Sequence, residues 1–374
     1  MLDMINFFYI LTIFFFVYKY YNIPRIYLGL MFIHFFSIFF FNGFLFDPHY
    51  MPDQFKYLLV SENIRNFDFF NDNNFTWGKT VYISSIFFGL FPIPFVESIY
   101  SIAMINFLLY FFIFLFIYKK GFLNSKFIAY FYLLYPSLLL YSSVALRDML
   151  VFFVMFIGIY YILIAKKNFI GFVFLIFLNF IKLQNLLMFI ISFLFSIFLT
   201  KKINIKYFLY GSIIFIILFF MYNEFFSLEY LNLYRQRFYN ENCVNIDEKF
   251  IPILSYLELI WMGLPSALEF FFRPLPWEEF GTLQLIQFLE NCIIGVLVIY
   301  ILIQNKKYKL WKYQEVKFLN ILLFSSMIIY GLVIYNSGTA ARYKFPFIVI
   351  YIIYSWYYIY NSKINHEKSE KCVE

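Results

Sequence analysis

Residues 98–120 read SIYSIAMINFLLYFFIFLFIYKK. No charged residue interrupts the run from Ser98 to Tyr118, and Lys119 and Lys120 close it. A bilayer-spanning helix needs roughly 17–25 mainly apolar residues, so 98–118 fills one span and the lysine pair marks its end. The same pattern recurs near 4–18, 26–46, 127–143, 148–165, 168–181, 186–200, 207–222, 282–304, 318–335 and 343–360. The sequence therefore predicts an all-α, polytopic integral membrane protein with about eleven spans.

Composition agrees with that pattern. The 374 residues are 63% hydrophobic, 26% aromatic and only 14% charged, against ~45–50% apolar and ~25% charged in a soluble globular chain. Such a chain cannot cover itself with a water-compatible surface, which excludes an ordinary soluble enzyme. Disorder is excluded too, because runs such as Ile213 to Met221 have too much apolar surface to bury. Cys243, Cys292 and Cys372 fall in a loop, a span and the tail, so no pair has an evident route to a disulfide.

The basic residues order the spans. They cluster in alternate connections: Lys119 and Lys120, Lys166 and Lys167, Lys201 and Lys202, Lys306 and Lys307. With the Lys19–Arg25 turn and the tail 361–374, these connections hold 18 of the 29 Lys and Arg but 4 of the 22 acids. By the positive-inside rule that side is cytoplasmic, which puts the N-terminus outside and the C-terminus inside. The net charge of +7 thus reads as orientation and membrane-lipid contact, not nucleic-acid binding. The first span has no basic stretch before it and is expected to be retained, unlike a cleaved signal peptide. Nothing else divides the chain, and residues 1–374 read as one transmembrane domain.

Two outer loops are long, 47–97 and 223–281. The first carries an expected amphipathic helix from Asp53 to Ile64 and an apolar stretch from Val81 to Phe91, too short to span and ended by Pro92 and Pro94. The second carries an expected interfacial helix from about Ile251 to Phe272, followed by Arg273-Pro274-Leu275-Pro276-Trp277-Glu278.

The few charges outside the basic connections are the candidates for chemistry. Asp53, at the start of a helix and four residues before Tyr57, is kept ionised by the helix dipole. It either removes a proton from a sugar hydroxyl or only caps its helix. Arg147 and Asp148, between two spans, are a functional pair or a self-neutralised structural one. Arg147 suits phosphate, since its planar fork matches phosphate oxygens. Arg342 and Lys344 lie in Gly338-Thr339-Ala340-Ala341-Arg342-Tyr343-Lys344-Phe345-Pro346, on the side depleted of cations, with lipid headgroups as the alternative partner; Pro346 fits a first helical turn. Arg273, Glu278 and Glu279 flank prolines and Trp277, an expected interface anchor. Lys182, beside Gln184 and Asn185 in a tight hairpin, is expected to snorkel. Glu290 is a pathway residue or pairs with Asn291. His34 and His49 have no ligand cluster around them, so no metal site is assigned. P-loop, dinucleotide, GxSxG and HExxH patterns are absent from the sequence.

The Asp-x-x-x-Tyr element (Asp53, Tyr57) in the first outer loop and the apolar YISSIFFGLFP stretch (Tyr82 to Pro92) leading into the next span resemble the start of GT-C membrane glycosyltransferases. That resemblance implies a polyprenyl-phosphate-linked sugar used on the outer face, with an acid of the first outer loop in the site. Pro136-Ser137 with Arg147-Asp148, the RPLPWE segment and the GTAARYKFP segment look like elements of polytopic bacterial proteins of surface-polysaccharide assembly. A second resemblance is to Wzy-type O-antigen polymerases, on an Arg, ten residues, Gly pattern that Arg147 and Gly158 satisfy. Arg235 and Arg237 in the second loop do not match that family.

Either resemblance implies an enzyme that transfers sugar or glycan from a polyprenyl phosphate or diphosphate. Asp53 would act as base or acceptor orienter, Arg147 and Arg342 as phosphate clamps, and Tyr57, Asp148, Arg273, Glu278 and Lys344 as substrate-binding groups. No cofactor is assigned, although a divalent cation at Asp53 stays open, and other polysaccharide-assembly proteins are the partners implied. A lipid-linked glycan flippase or exporter is the rival class; it would line its passage with charge through the full depth, whereas the inner halves of these spans are nearly free of charge.

Overall fold

The computed structural model describes residues 2–200, 227–240, 250–278 and 281–371. These residues are helical and joined by turns, with no strand among them. The expected span 207–222, Glu279, Cys243 and Cys372 lie outside them. Two compact units result, Met1–Leu186 and Leu187–Glu374.

The first unit contains α1 (Leu2–Tyr21), α2 (Arg25–Phe41), α3 (Asp53–Arg65), α4 (Lys79–Leu90), α5 (Ile99–Lys119), α6 (Lys126–Leu134), α7 (Pro136–Ser143), α8 (Asp148–Leu163), α9 (Asn168–Ile176) and α10 (Leu178–Ile181). Its centre is α5, the helix of the opening stretch. A capping box between Ser98 and Ser101 starts it, and Gly121 in a left-handed conformation follows its end. Helices α1, α2, α3, α7 and α8 pack on it, with Phe14 of α1 4.4 Å from Phe111 and 5.6 Å from Phe107 between ring centres. Helices α8 and α9 approach closely at two glycines, since a Cβ on Gly171 would come within 2.8 Å of the Gly158 carbonyl oxygen.

The second unit contains most of α11 (Leu183–Thr200), then α12 (Leu228–Asn240), α13 (Tyr256–Phe272), α14 (Thr282–Lys307), α15 (Gln314–Gly331) and α16 (Ser337–Lys371). Helix α15 packs on α13 and α16, and α14 on α16. The buried Tyr351 hydroxyl donates to Asn320 Oδ1 at 2.9 Å across the α15–α16 contact.

Four helices among the described residues are long and apolar enough to cross a membrane: α1, α5, α11 and α14. A fifth span is obtained if α7 and α8, whose axes differ by 119°, count together. The expected span 127–143 is divided at Tyr135, because Pro136 cannot donate to the preceding turn and starts a new helix. The last helix differs at both ends from the expected 343–360. It begins at Ser337, where Asn336 Oδ1 accepts from the Gly338 and Thr339 amides, so Pro346 and Arg342 lie within the helix. It runs on to Lys371, because the Lys- and Glu-rich tail consists of good helix formers.

Among the described glycines of the second unit Gly331 has the least room: a Cβ there would overlap the Ser266 backbone, whereas nothing lies within 4 Å of one at Gly29. Gly331→Ala is expected to destabilise by about 1–3 kcal/mol, read as a lower thermal midpoint of the detergent-solubilised protein, with Gly29→Ala as a control that does not lower it.

Candidate functional site

In the first unit the chain leaves the helix after Ser143 and re-enters it at Asp148. The intervening Val144, Ala145 and Leu146 are buried, so water cannot serve their backbone groups; the Leu146 amide donates to the Val144 carbonyl at 2.9 Å, and side chains serve others. Asn42, which ends α2, donates to the Ser143 carbonyl at 2.9 Å. Asn106 of α5 donates to the carbonyls of Val144 and Leu146, both at 2.7 Å. Gln54 of α3 accepts from the Ala145 amide at 2.8 Å. Three carboxamides from three helices thus fix a break that ends at Arg147 and Asp148.

Gln54 also links this break to Asp53, its neighbour in sequence. Asp53 is the first helical residue of α3 and Pro52 is the cap; the carboxylate lies half-buried, 2.8 Å from Lys56 Nζ. The Lys56 ammonium in turn stands 5.1 Å above the Trp77 ring. The Gln54 bond therefore sets the start of α3 against the segment that leads into Arg147 and Asp148; Asp53 and Arg147 are each half-buried. Tyr57 is placed differently, buried in the α3–α4 contact with its ring edge-on to Phe88. Arg65, at the end of α3, holds the turn after α4 by donating to the carbonyls of Gly89, Phe91, Ile93 and Pro94. Between these two, burial and the neighbouring Glu97 carboxylate raise the Glu62 pKa above the usual carboxylate value.

Asp148 has a partner that the sequence reading placed elsewhere. Lys182, expected to snorkel, is buried in the break between α10 and α11, with Nζ 3.7 Å from Asp148 Oδ1 and both side chains at most 4% exposed. A carboxylate in the first turn of α8, favoured there by the helix dipole, gives the ammonium a reason to stay inside.

In the second unit Arg273, Glu278 and Lys344 meet. Arg273 Nε donates to Glu278 Oε1 at 2.8 Å, Nη1 to the carbonyls of Ile334 and Tyr335, and Nη2 pairs with Glu269. Lys344 is buried, and its Nζ donates to the carbonyls of Phe271 at 3.0 Å and Arg273 at 2.8 Å. Asn291 donates to the Arg273 carbonyl as well, at 2.8 Å. These groups close the C-terminal end of α13, where carbonyls lack helical donors. Arg342 stands half-buried two residues before Lys344 on α16. Arg235, set aside in the sequence reading, is buried and grips the same loop that Arg273 does: Nε donates to the Leu332 carbonyl at 2.9 Å and Nη2 to the Tyr335 hydroxyl at 2.7 Å.

The residues not foreseen are Asn42, Gln54 and Asn106, and the places of Lys182 and Arg235 differ from those expected. Asn106 left one signal, a carboxamide within an otherwise apolar span. Among the described residues no three His, Cys, Asp or Glu side chains are grouped to hold a metal ion. Comparison with family models, curated proteins and solved structures gave no match.

Two substitutions test this geometry through stability. Asn106→Leu strips the buried Leu146 carbonyl of its side-chain donor, while the Val144 carbonyl keeps the Leu146 amide at 2.9 Å, and is expected to cost about 1–3 kcal/mol. Lys182→Met leaves Asp148 buried beside an apolar chain and is expected to cost about 3–5 kcal/mol; adding Asp148→Asn should recover a large part of it. A thermal or denaturant melt of the four proteins checks both.

Proposed function

We propose that the chain is an outer-face membrane glycosyltransferase that transfers sugar or glycan from a polyprenyl phosphate or diphosphate in cell-surface polysaccharide assembly. The reading includes the finer topology of about eleven spans, N-terminus outside and C-terminus inside. The observation that supports it most is the joining of Asp53 to the Arg147-Asp148 break through Gln54 and Ala145, which gathers an acid and an arginine in a chain of few charges.

In this reading Arg147 holds the carrier phosphate. Phosphate departs readily once its charge is stabilised, so no protonating acid is required. Asp53 takes the proton of the attacking hydroxyl. Lys56 Nζ, 2.8 Å away, is the ion-pair partner of that carboxylate. The polymerase alternative rests on the Arg147–Gly158 spacing; Gly158 packs closely against Leu175 and Gly171.

Asp53→Ala is expected to reduce transfer at least about a hundredfold, the low end for loss of a general base, at unchanged protein level. Unextended lipid-linked precursor should then collect on the outer face. Precursor trapped on the inner face would favour a flippase, and unchanged transfer would remove Asp53 from the chemistry.

A further inference from the structure

Behind the α7–α8 break, three buried polar atoms have no hydrogen-bond partner among the described residues: His34 Nδ1, Asn106 Oδ1 and Tyr110 Oη. Their residues are at most 1% exposed. Leaving one such group dry and unpaired costs about 1–3 kcal/mol, so three together call for a resident partner.

The surrounding bonds settle what each atom offers. Ser142 Oγ directs its one proton to the Leu138 carbonyl at 2.6 Å. It therefore accepts from His34 Nε2, 2.6 Å away, and His34 Nδ1 is left as a lone-pair acceptor. Both N–H groups of Asn106 are used on Val144 and Leu146, so its Oδ1 is an acceptor too. Tyr110 lies one helical turn after Asn106 on α5. Helical side chains lean toward the N-terminus, so the Tyr110 phenol is carried back toward Asn106. Its ring centre is 4.1 Å from that of His34.

Two acceptors and one hydroxyl form a complementary set for a molecule with two donors and one acceptor. We infer that His34, Asn106 and Tyr110 bind a single buried water molecule, which donates to His34 Nδ1 and Asn106 Oδ1 and accepts from the Tyr110 hydroxyl. A water with three such bonds is typical of buried sites. It ties α2 to α5 directly behind the carbonyls that Asn106 holds, and so forms part of the support for Arg147 and Asp148. The site rests on hydrogen-bond chemistry alone and stands whether or not the chain is a transferase.

The test uses the full-length protein in nanodiscs with 15N-labelled histidine, the His34 signals being assigned with His34→Asn. The expected result is a protonated Nε2, an unprotonated Nδ1, and a cross-peak from the ring to slowly exchanging water. A protonated Nδ1 overturns the inference, since a ring N–H there cannot accept the proton that the water is assigned to donate. Tyr110→Phe supplies a second readout: loss of the donor is expected to lower the thermal midpoint by a few degrees. An unchanged or raised midpoint would mean that the hydroxyl was unpaired, and would overturn the water site. A midpoint that follows sodium concentration at constant ionic strength would do the same, by assigning the three atoms to a cation.

Discussion

Backbone that leaves the helix inside a packed interior must find hydrogen bonds there, because neither apolar side chains nor lipid can supply them. This chain meets that requirement with its scarce polar side chains. The 143–146 break is held by Asn42, Gln54 and Asn106. The turn after α4 is held by Arg65, and the loop between α15 and α16 by Arg235 and Arg273. Asn6 does the same for Phe95, donating to its carbonyl and accepting from its amide. Each net hydrogen bond is worth only about 0.5–1.5 kcal/mol, but losing one exposes the full cost of an orphaned group.

The same accounting changes how the charged residues are read. In sequence, an arginine or lysine off the basic connections invites a substrate role. In space, Arg273 and Lys344 already serve the carbonyls at the end of α13 and the loop at Ile334 and Tyr335. Any substrate they also met would have to share a guanidinium or ammonium with that backbone. Asp53 and Arg147 are placed otherwise. Both are half-buried, and the amide clamp ends beside them, so the break offers them a rigid base. This contrast makes the first unit the stronger seat for the proposed chemistry.

Much of the element order was legible. The expected span 98–118 is α5 to within a residue, Asp53 to Ile64 is α3, and Val81 to Phe91 is nearly α4, because apolar run length, prolines and glycine-marked ends are local signals. The division at Pro136 was also written in the sequence, in the one residue that cannot continue the preceding helix. Pairing was not. Gln54 and Ala145 are 91 residues apart, Asp148 and Lys182 belong to different helix breaks, and no periodicity links them. The helical tail was missed because charge identifies the side of a membrane, while Lys and Glu do nothing to end a helix.

The central claim is that side-chain amides, with Gln54 foremost, hold the α7–α8 break that carries Arg147. Amide hydrogen exchange at Ala145 tests it most directly. In the wild-type protein the Ala145 N–H should exchange about as slowly as the buried amides of α5, and Gln54→Leu should accelerate Ala145 selectively while α5 stays protected. Rapid exchange at Ala145 in the wild-type protein, or an unchanged rate in Gln54→Leu, would contradict the account.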